Sequence, residues 1–231
     1  MRSILIVTII TLSVFTFNST AWSETLKYRD GSIYEGEVKN GVSHGYGTYT
    51  YANGNRYTGQ FKNGVFHGQG TYIFVNGEKY VGQVANNQRH GQGTQYFNNG
   101  DKYVGQYKNN QSNGQGTYTY ANGDVYVGGN LNGLSHGQGT YNFINGDKYV
   151  GAYVNGQKHG QGSFFFINGE IYIGQLSNGE RHGQGTNTFP NGDKYVGEFK
   201  NGINHGFGTY TYTNGIVQRG IWENGKFKGK K

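Results

Sequence analysis

The sequence predicts an all-β fold, an elongated single-layer antiparallel β-meander built from tandem β-hairpin repeats of 23 residues. A Tyr-x-Gly motif recurs every 23 residues without insertion or deletion. Aromatic residues and glycines fall two residues apart, which places them on one face of a strand. Asn-Gly pairs follow these runs and supply the positive φ that hairpin turns need. Helices are disfavoured, because each interior glycine costs a helix about 0.8–1.0 kcal/mol relative to alanine.

The repeats divide the chain into an array with two caps. We predict half-repeat caps at residues 24–33 and 218–231, the second ending in a solvated basic tail. About 17 or 18 strands should curl into a twisted ribbon of roughly 80 Å, since open sheets rarely exceed about ten flat strands. Neighbouring repeats then stabilise one another. Eight full repeats span residues 34–217 and begin at Tyr34, Tyr57, Tyr80, Tyr103, Tyr126, Tyr149, Tyr172 and Tyr195.

Residues 1–23 have the pattern of a cleaved signal peptide. Arg2 precedes an apolar run from Ile4 to Phe17, and small residues stand at Ala21 and Ser23. An uncleaved anchor is the alternative, but a spanning helix needs roughly 20 apolar residues, more than this run offers. We therefore expect export, with a periplasmic, cell-surface or secreted location.

Composition restricts the chemistry that the chain can perform. There is no cysteine, so disulfides, thiolate metal sites and cysteine nucleophiles are excluded. Removal of Arg2 with the leader lowers the formal charge from +7 to +6, which favours weak attraction to anionic surfaces. The 43 glycines would suggest disorder if they lacked a period, but here they are periodic and accompanied by aromatic residues.

The segment from Tyr57 to Gly70 reads Tyr-Thr-Gly-Gln-Phe-Lys-Asn-Gly-Val-Phe-His-Gly-Gln-Gly. It resembles the MORN repeat, whose pattern is Tyr-x-Gly-x-Trp-x-x-Gly-x-x-His-Gly-x-Gly. The resemblance recurs in register over most of the chain. It implies an elongated single sheet of hairpins and a role as a scaffold, dimerisation module or membrane-associated platform, with phosphoinositide binding proposed for some members.

Several copies depart from the MORN pattern. Only Trp222 keeps the tryptophan of the fifth place. Asn130 stands at that place in one repeat, and Asn113 replaces a histidine. Gln95 and Asn187 replace aromatic residues of the second strand. We expect these copies to pack less well, and we expect any local function at such departures.

No metal, cofactor or catalytic site is predicted. All seven histidines occupy one repeat position, about 10 Å apart, whereas a zinc ligand lies about 2.0–2.1 Å from its ion. Every candidate Ser, His or Asp is a repeated position, so no nucleophile, base and orienting group stand out. The chain is therefore predicted not to be an enzyme and not to bind nucleic acid.

Acidic residues follow the second Asn-Gly turn of most repeats. One carboxylate per turn is too few for calcium, which takes about six to eight oxygens. We interpret these acids as cross-strand partners of Lys79, Lys102, Lys148 and Lys194. The acids are Glu78, Asp101, Asp124, Asp147, Glu170 and Asp193.

The surface is the remaining candidate. A single layer should leave the first-strand rings partly exposed; most would pack on one another, and the rest could form a groove for a partner. The predicted interaction face contains Tyr57, Phe61, Tyr80, Tyr103, Tyr107, Tyr149, Tyr153, Tyr195 and Phe199. Lysines that could contact anionic lipid are Lys62, Lys79, Lys102, Lys108 and Lys200.

Three functions follow from these patterns. The leading hypothesis is a non-enzymatic exported scaffold that acts through an unidentified protein partner or as a homodimer. The alternative is binding to anionic membrane lipid by the basic array. Glycan binding is the weakest, because aromatic glycan-binding repeats rely on tryptophan pairs and only Trp22 and Trp222 occur.

Overall fold

The computed structural model describes residues 23–230, so the predicted signal peptide lies outside the described residues apart from Ser23. All regular structure in this range is β. Most repeats contribute a seven-residue strand and a nine-residue strand. The strands are β1 (Glu24–Lys27), β2 (Ile33–Lys39), β3 (Val42–Thr50), β4 (Arg56–Lys62), β5 (Val65–Ile73), β6 (Lys79–Ala85), β7 (Gln88–Tyr96), β8 (Lys102–Lys108), β9 (Gln111–Thr119), β10 (Val125–Leu131), β11 (Leu134–Asn142), β12 (Lys148–Val154), β13 (Gln157–Phe165), β14 (Ile171–Ser177), β15 (Glu180–Thr188), β16 (Lys194–Lys200), β17 (Ile203–Thr211), β18 (Val217–Glu223) and β19 (Lys226–Gly229).

Each strand pairs antiparallel with the next one along the chain, which gives one open sheet of 19 strands. The predicted meander of tandem hairpins is confirmed. The strand count exceeds the expected 17 or 18 because the basic tail forms β19. Phe227 of this strand packs against Trp222, with ring centroids 5.4 Å apart, so the tail is not merely solvated.

The two turns of a repeat differ. In the first, Asn63 and Gly64 both have positive φ, 51° and 83°, as a two-residue type I′ hairpin requires. In the second, only Gly77 does, and its amide donates to the Phe74 carbonyl at 3.0 Å. Where Asn87 replaces the first-turn glycine it adopts φ 63°, which asparagine tolerates better than most residues.

A β-bulge recurs in the second strand of the repeats. In repeat two, Gly59 pairs with Gly70 and Phe61 with Phe66, so the single residue Gln60 of the first strand faces residues 67–69 of the second. The Gln60 side-chain oxygen accepts a hydrogen bond from the Gln69 amide at 2.8 Å. The main-chain carbonyl of Gln60, opposite the bulge, becomes an acceptor for the core and takes a hydrogen bond from the Tyr57 hydroxyl at 3.1 Å.

That acceptor holds the first tyrosine of every repeat, which we call the anchor tyrosine. Its hydroxyl donates to the carbonyl three residues later, for example 2.6 Å from Tyr126 to Gly129 and 2.7 Å from Tyr80 to Gln83. All eight anchors are at most 2% exposed. Each ring lies over two facing glycines, such as Gly105 and Gly116, which are cross-strand partners. The glycines are required because the ring occupies the space of their side chains.

The buried side chains form two clusters rather than one continuous core. One extends from Tyr34 to Tyr107 and the other from Tyr126 to Trp222, with the partly buried Tyr118 packed against both. Asn130 lies near the boundary, at the place where other repeats carry a large apolar residue. Its amide donates to the Gly128 carbonyl at 3.2 Å. The buried core is therefore divided near the middle of the array, although the rings of Tyr118, Tyr120 and Tyr141 stay in contact across the boundary.

We expect Gly105→Ala to destabilise the chain by about 1–3 kcal/mol, the usual effect of overpacking. The added Cβ would lie 2.6 Å from the Gly116 Cα and 2.5 Å from the Tyr103 hydroxyl. Chemical denaturation measures the loss. Val104→Thr, one residue away on the opposite face, is the control and should change stability by less than about 0.5 kcal/mol. Equal effects of the two substitutions would contradict the requirement for glycine.

We expect the sheet to unfold between about pH 10 and pH 12. Burial raises the pKa of the anchor hydroxyls, to about 12 for Tyr34, Tyr80, Tyr103, Tyr149, Tyr172 and Tyr195. Unfolded tyrosine ionises near pH 10. The folded chain therefore binds more protons in this window, and its stability falls as the pH rises. Tyrosinate absorbance and the β circular dichroism signal should change together. Complete ionisation near pH 10 with the sheet intact would refute this expectation.

Candidate functional site

The nine predicted interaction residues lie in the core instead of on an exposed groove. All of them are buried, with relative exposures from 0% to 6%. The expectation of partial exposure was wrong because rings of the second strand cover those of the first. Phe66 stacks on Tyr57 with centroids 4.0 Å apart, and Tyr72 and Tyr51 pack beside it. We call the side of the sheet that carries the anchor tyrosines the tyrosine face.

The opposite side is the more exposed apolar surface, and we call it the valine face. The residue after each anchor tyrosine lies here, and it is valine or isoleucine in six consecutive repeats. Their cross-strand neighbours are Thr or Ser, as in the pairs of Val81 with Thr71 and Thr94. A row of β-branched side chains therefore crosses the sheet. The exposed members are Val81, Val104, Val127, Val150, Ile173 and Val196, at 38–54%.

The five lysines proposed to contact lipid also lie on the valine face. Each is adjacent in its strand to a buried residue of the tyrosine face, such as Phe61 before Lys62, and alternation places it on the other side. Four are exposed, and Lys102 is half-buried with its ammonium 5.4 Å from the Tyr96 ring centroid. The valine face thus combines apolar and basic side chains.

The acids after the second turn do not pair with the lysines that the sequence suggested. Instead, the four aspartates among them connect one repeat to the next. Asp124 accepts from the Ile144 amide and from the Tyr141 hydroxyl, both at 2.8 Å. The hydrogen bond from the Ile144 amide lowers the pKa of Asp124 most, and the hydrogen bond from the Tyr141 hydroxyl lowers it further. Asp101 and Asp193 make the same contacts with the following repeat. The carboxylates accept from backbone amides rather than from lysines, because the turn holds the amides at a fixed distance.

Basic side chains enter the tyrosine face at the tenth place of a repeat. Arg89 lies over Tyr80 and Tyr107, 5.9 and 5.5 Å from their centroids, and donates to the Gln95 side chain at 2.9 Å. Arg181 repeats the arrangement with Asn187 at 3.0 Å and forms an ion pair with Glu170 at 2.7 Å.

The arginine bonds explain two of the departures from the repeat pattern. Gln95 and Asn187 were expected to pack poorly, yet both are 1% exposed. Each amide replaces an aromatic ring in a repeat that also replaces the tenth residue by arginine. The two substitutions compensate, because the arginine donates to an amide oxygen that would otherwise be buried without a partner. The sequence already indicates this pairing, since an arginine at the tenth place and an amide at the sixteenth occur together in two repeats that are four repeats apart.

Lys158 occupies the tenth place of repeat six. Its ammonium lies 5.1 Å from the Tyr141 and Phe143 centroids, 5.5 Å from Tyr149 and 5.7 Å from Phe164. Burial lowers the pKa of Lys158, while the nearby Asp124 acts in the opposite direction. A cation held among four rings is a feature that the sequence analysis missed.

Two cavities open on the tyrosine face near these cations. One, of about 210 Å³, is lined by Arg89 together with Tyr51, Tyr72 and Phe74. The other, of about 230 Å³, is lined by Lys158, Ser135 and Tyr153 among others. Each is lined by a basic residue at the tenth place of a repeat, Arg89 in the first and Lys158 in the second. They are the concave sites of this face at which a partner side chain could insert.

The remaining candidates contribute no assembled site. No group of three or more His, Asp or Glu residues lies close enough to share a metal ion within residues 23–230. The His44 imidazole accepts from the Asn63 amide at 3.4 Å, a contact between neighbouring turns. Over the same range no helix is long and apolar enough to cross a membrane.

We expect Arg89 and Gln95 to be energetically coupled. Arg89→Phe alone leaves the Gln95 oxygen buried without its donor and should cost about 1–3 kcal/mol. Arg89→Phe/Gln95→Tyr recreates the Phe66 and Tyr72 pair of repeat two and should cost less than the two single changes together. A double-mutant cycle from denaturation measures this, with an expected coupling of about 0.5–3 kcal/mol. Additive effects would show that the pair is independent.

The segments that match a known protein family coincide with the eight repeats. The family model described as MORN repeat matches residues 34–56, 57–79, 80–102, 103–125, 126–148, 149–171, 172–194 and 195–217. No curated protein matches the sequence.

Three similar solved structures illustrate the remaining likeness. The SAS-4 TCP domain of Drosophila melanogaster, in complex with a proline-rich motif of Ana2, is 14% identical; the match covers 79% of this chain and 94% of that chain, with a TM-score of 0.43. The Danio rerio CPAP TCP10 domain is 11% identical, with coverages of 88% and 98% and a TM-score of 0.35. Virginiamycin B lyase from Staphylococcus aureus is 10% identical, with coverages of 92% and 74% and a TM-score of 0.17. At these scores the likenesses carry no argument about function.

Proposed function

This chain belongs to the MORN-repeat family, and on that premise we propose that it is a non-enzymatic scaffold that binds protein, either a partner or a second copy of itself. The observation that carries the proposal is the valine face. Its exposed row of five valines and one isoleucine crosses six repeats at the same place in each, with Thr or Ser between them. Exposed apolar surface rimmed by polar residues is characteristic of protein interaction sites. Repetition makes the surface long and uniform instead of local.

Several further features support a binding role over a catalytic one. The hydroxyls, carboxylates and amides of the repeat mostly hold turns, bulges and neighbouring repeats together, as the anchor tyrosines and Asp124 illustrate. Stability is distributed over the repeats, because each one contacts mainly its neighbours. We place the scaffold outside the cytoplasm, as the predicted leader indicates.

A second candidate function is binding to anionic lipid, favoured by the lysines that share the valine face. Lys62, Lys108 and Lys200 are exposed at the same place of three repeats. A basic row near a lipid surface gains about 1 kcal/mol per lysine, and salt screens the attraction. Glycan binding has less support, because Trp222 is only 5% exposed and lies against Phe227.

One pair of substitutions separates the two functions. Val127→Lys/Val150→Lys removes apolar surface from the valine face and adds positive charge. We expect it to abolish self-association in sedimentation experiments, or capture of a partner from the native envelope fraction. It should leave co-sedimentation with anionic vesicles unchanged or stronger. Ile167→Lys, at a turn position that is 74% exposed, is the matched control and should change neither.

The outcomes distinguish the candidates. A strict monomer that captures nothing from its own extract would refute the scaffold proposal. Vesicle binding that is salt-sensitive and lost when Lys62, Lys79, Lys102, Lys108 and Lys200 become Gln would support the lipid function. Absence of vesicle binding at low salt would end the lipid alternative.

A further inference from the structure

The Lys158 cavity on the tyrosine face combines unused hydrogen-bond donors with aromatic walls. It has a volume of about 230 Å³. Tyr120 and Tyr141 form part of its apolar wall, and Ser135, Tyr153 and Lys158 supply polar atoms. A space of this size accommodates a single side chain. The site lies next to the division of the core, since Ser135 in its wall is the cross-strand partner of Asn130.

Lys158 differs from the two arginines at the equivalent place. Arg89 and Arg181 each donate to an amide oxygen, and Arg181 also pairs with Glu170. Within residues 23–230 the Lys158 ammonium has no hydrogen-bond acceptor and no carboxylate within 4.0 Å. The four surrounding rings attract its charge but accept none of its three N–H donors in the normal way. The ammonium is therefore available to an incoming anion.

Tyr153 provides a second unused donor beside it. Tyr153 and Lys158 are cross-strand partners at the bulge of repeat six. The Tyr153 hydroxyl is buried and has no partner among the described residues. A buried hydroxyl without a hydrogen bond is costly, so such groups in native structures call for a ligand, an ion or a water. Burial raises the pKa of Tyr153, which keeps the hydroxyl protonated as a donor.

Repeat two shows that neither residue is needed for the fold. Residues 92 positions earlier, four repeats away, are Phe61 and Phe66. These rings pack edge to face with centroids 5.3 Å apart and belong to the buried core. Repeat six thus carries a hydroxyl and an ammonium where repeat two has phenylalanine. The exchange adds polar groups to an apolar site without a structural requirement for them.

We propose that Lys158 and Tyr153 bind one carboxylate of an acidic partner polypeptide. The inference rests on the scaffold function proposed above and names the chemistry of the partner at this pocket. The ammonium pairs with the carboxylate, the Tyr153 hydroxyl donates to one of its oxygens, and the rings of Tyr120 and Tyr141 contact its aliphatic stem. The formal charge of +6 that remains without the predicted leader steers an acidic segment toward the array.

Charge favours a carboxylate over a phosphate. The pocket offers a single cation, and the Asp124 carboxylate acts on Lys158 from nearby. Asp124 is held in place by Tyr141 and Ile144, so its negative charge stays beside the site. A dianion would meet more repulsion from Asp124 than a monoanion. There is also no arginine fork of the kind that binds phosphate in two places.

The test uses labelled glycine-rich peptides and fluorescence anisotropy. The first peptide has one internal Glu and an amidated C-terminus, the second has Gln in its place, and the third has Gln and a free C-terminal carboxylate. We expect the Glu peptide to bind at least tenfold more tightly than the amidated Gln peptide. The third peptide shows whether a main-chain carboxylate is also accepted.

Two reciprocal double variants complete the experiment. Tyr153→Phe/Lys158→Phe copies repeat two and should retain the unfolding midpoint while losing the preference for Glu. Phe61→Tyr/Phe66→Lys builds a second site in repeat two and should add a second equivalent of peptide binding if the variant remains folded.

Three results would overturn the inference. These are equal binding of Glu and Gln peptides, an unchanged Glu preference in Tyr153→Phe/Lys158→Phe, or stronger competition by inorganic phosphate than by acetate. The last would assign the pocket to phosphate groups instead. The scaffold proposal fails separately, through the valine-face variants, because those substitutions lie on the other side of the sheet.

Discussion

The contact between each anchor tyrosine and two facing glycines determines the rest of the structure. The ring lies across bare backbone, so the glycines cannot carry side chains, and the hydroxyl must find an acceptor beneath the ring. The residue opposite the bulge supplies this acceptor, as in the 2.6 Å bond from Tyr126 to Gly129. Ring, glycine pair and bulge therefore form one unit that recurs with the 23-residue period. A single layer can bury its apolar side chains because this unit brings the rings of neighbouring strands into contact with one another.

The same constraint explains which predictions succeeded. The strands, the hairpin turns and the assignment of anchor tyrosines and glycines to one face follow from alternation and from Asn-Gly chemistry, both local properties of the sequence. Exposure could not be predicted this way, because it depends on neighbouring strands. Tyr57 is buried since Phe66 stacks on it, and nothing in the first strand alone indicates this contact. The exposed apolar surface was consequently assigned to the wrong side of the sheet.

The departures from the repeat show a second limit of reading each position separately. Gln95 is unfavourable in place of a ring when considered alone, but Arg89 makes it the right partner. The same pairing in Arg181 and Asn187, 92 residues later, shows that the tenth place and the sixteenth place vary together. A comparison of repeat three with repeat seven would have predicted the contact between the arginine and the amide from the sequence. The contacts of Asp101, Asp124 and Asp193 with the next repeat would still have been missed. Their donors are backbone amides, which every residue except proline carries, so the sequence does not mark them.

Position ten is free to vary because the anchor unit does not depend on it. Phenylalanine, serine, asparagine, lysine and arginine all occur there, and the sheet keeps its register in each case. A residue placed there faces the rings of its own repeat and its neighbours, so a cation gains aromatic contacts while it keeps its hydrogen-bond donors. In the two arginine repeats those donors are used internally. In repeat six, part of the bonding capacity of Lys158 and Tyr153 stays open, and the fold itself gives no reason for the polar pair, since Phe61 and Phe66 fill the same place with rings.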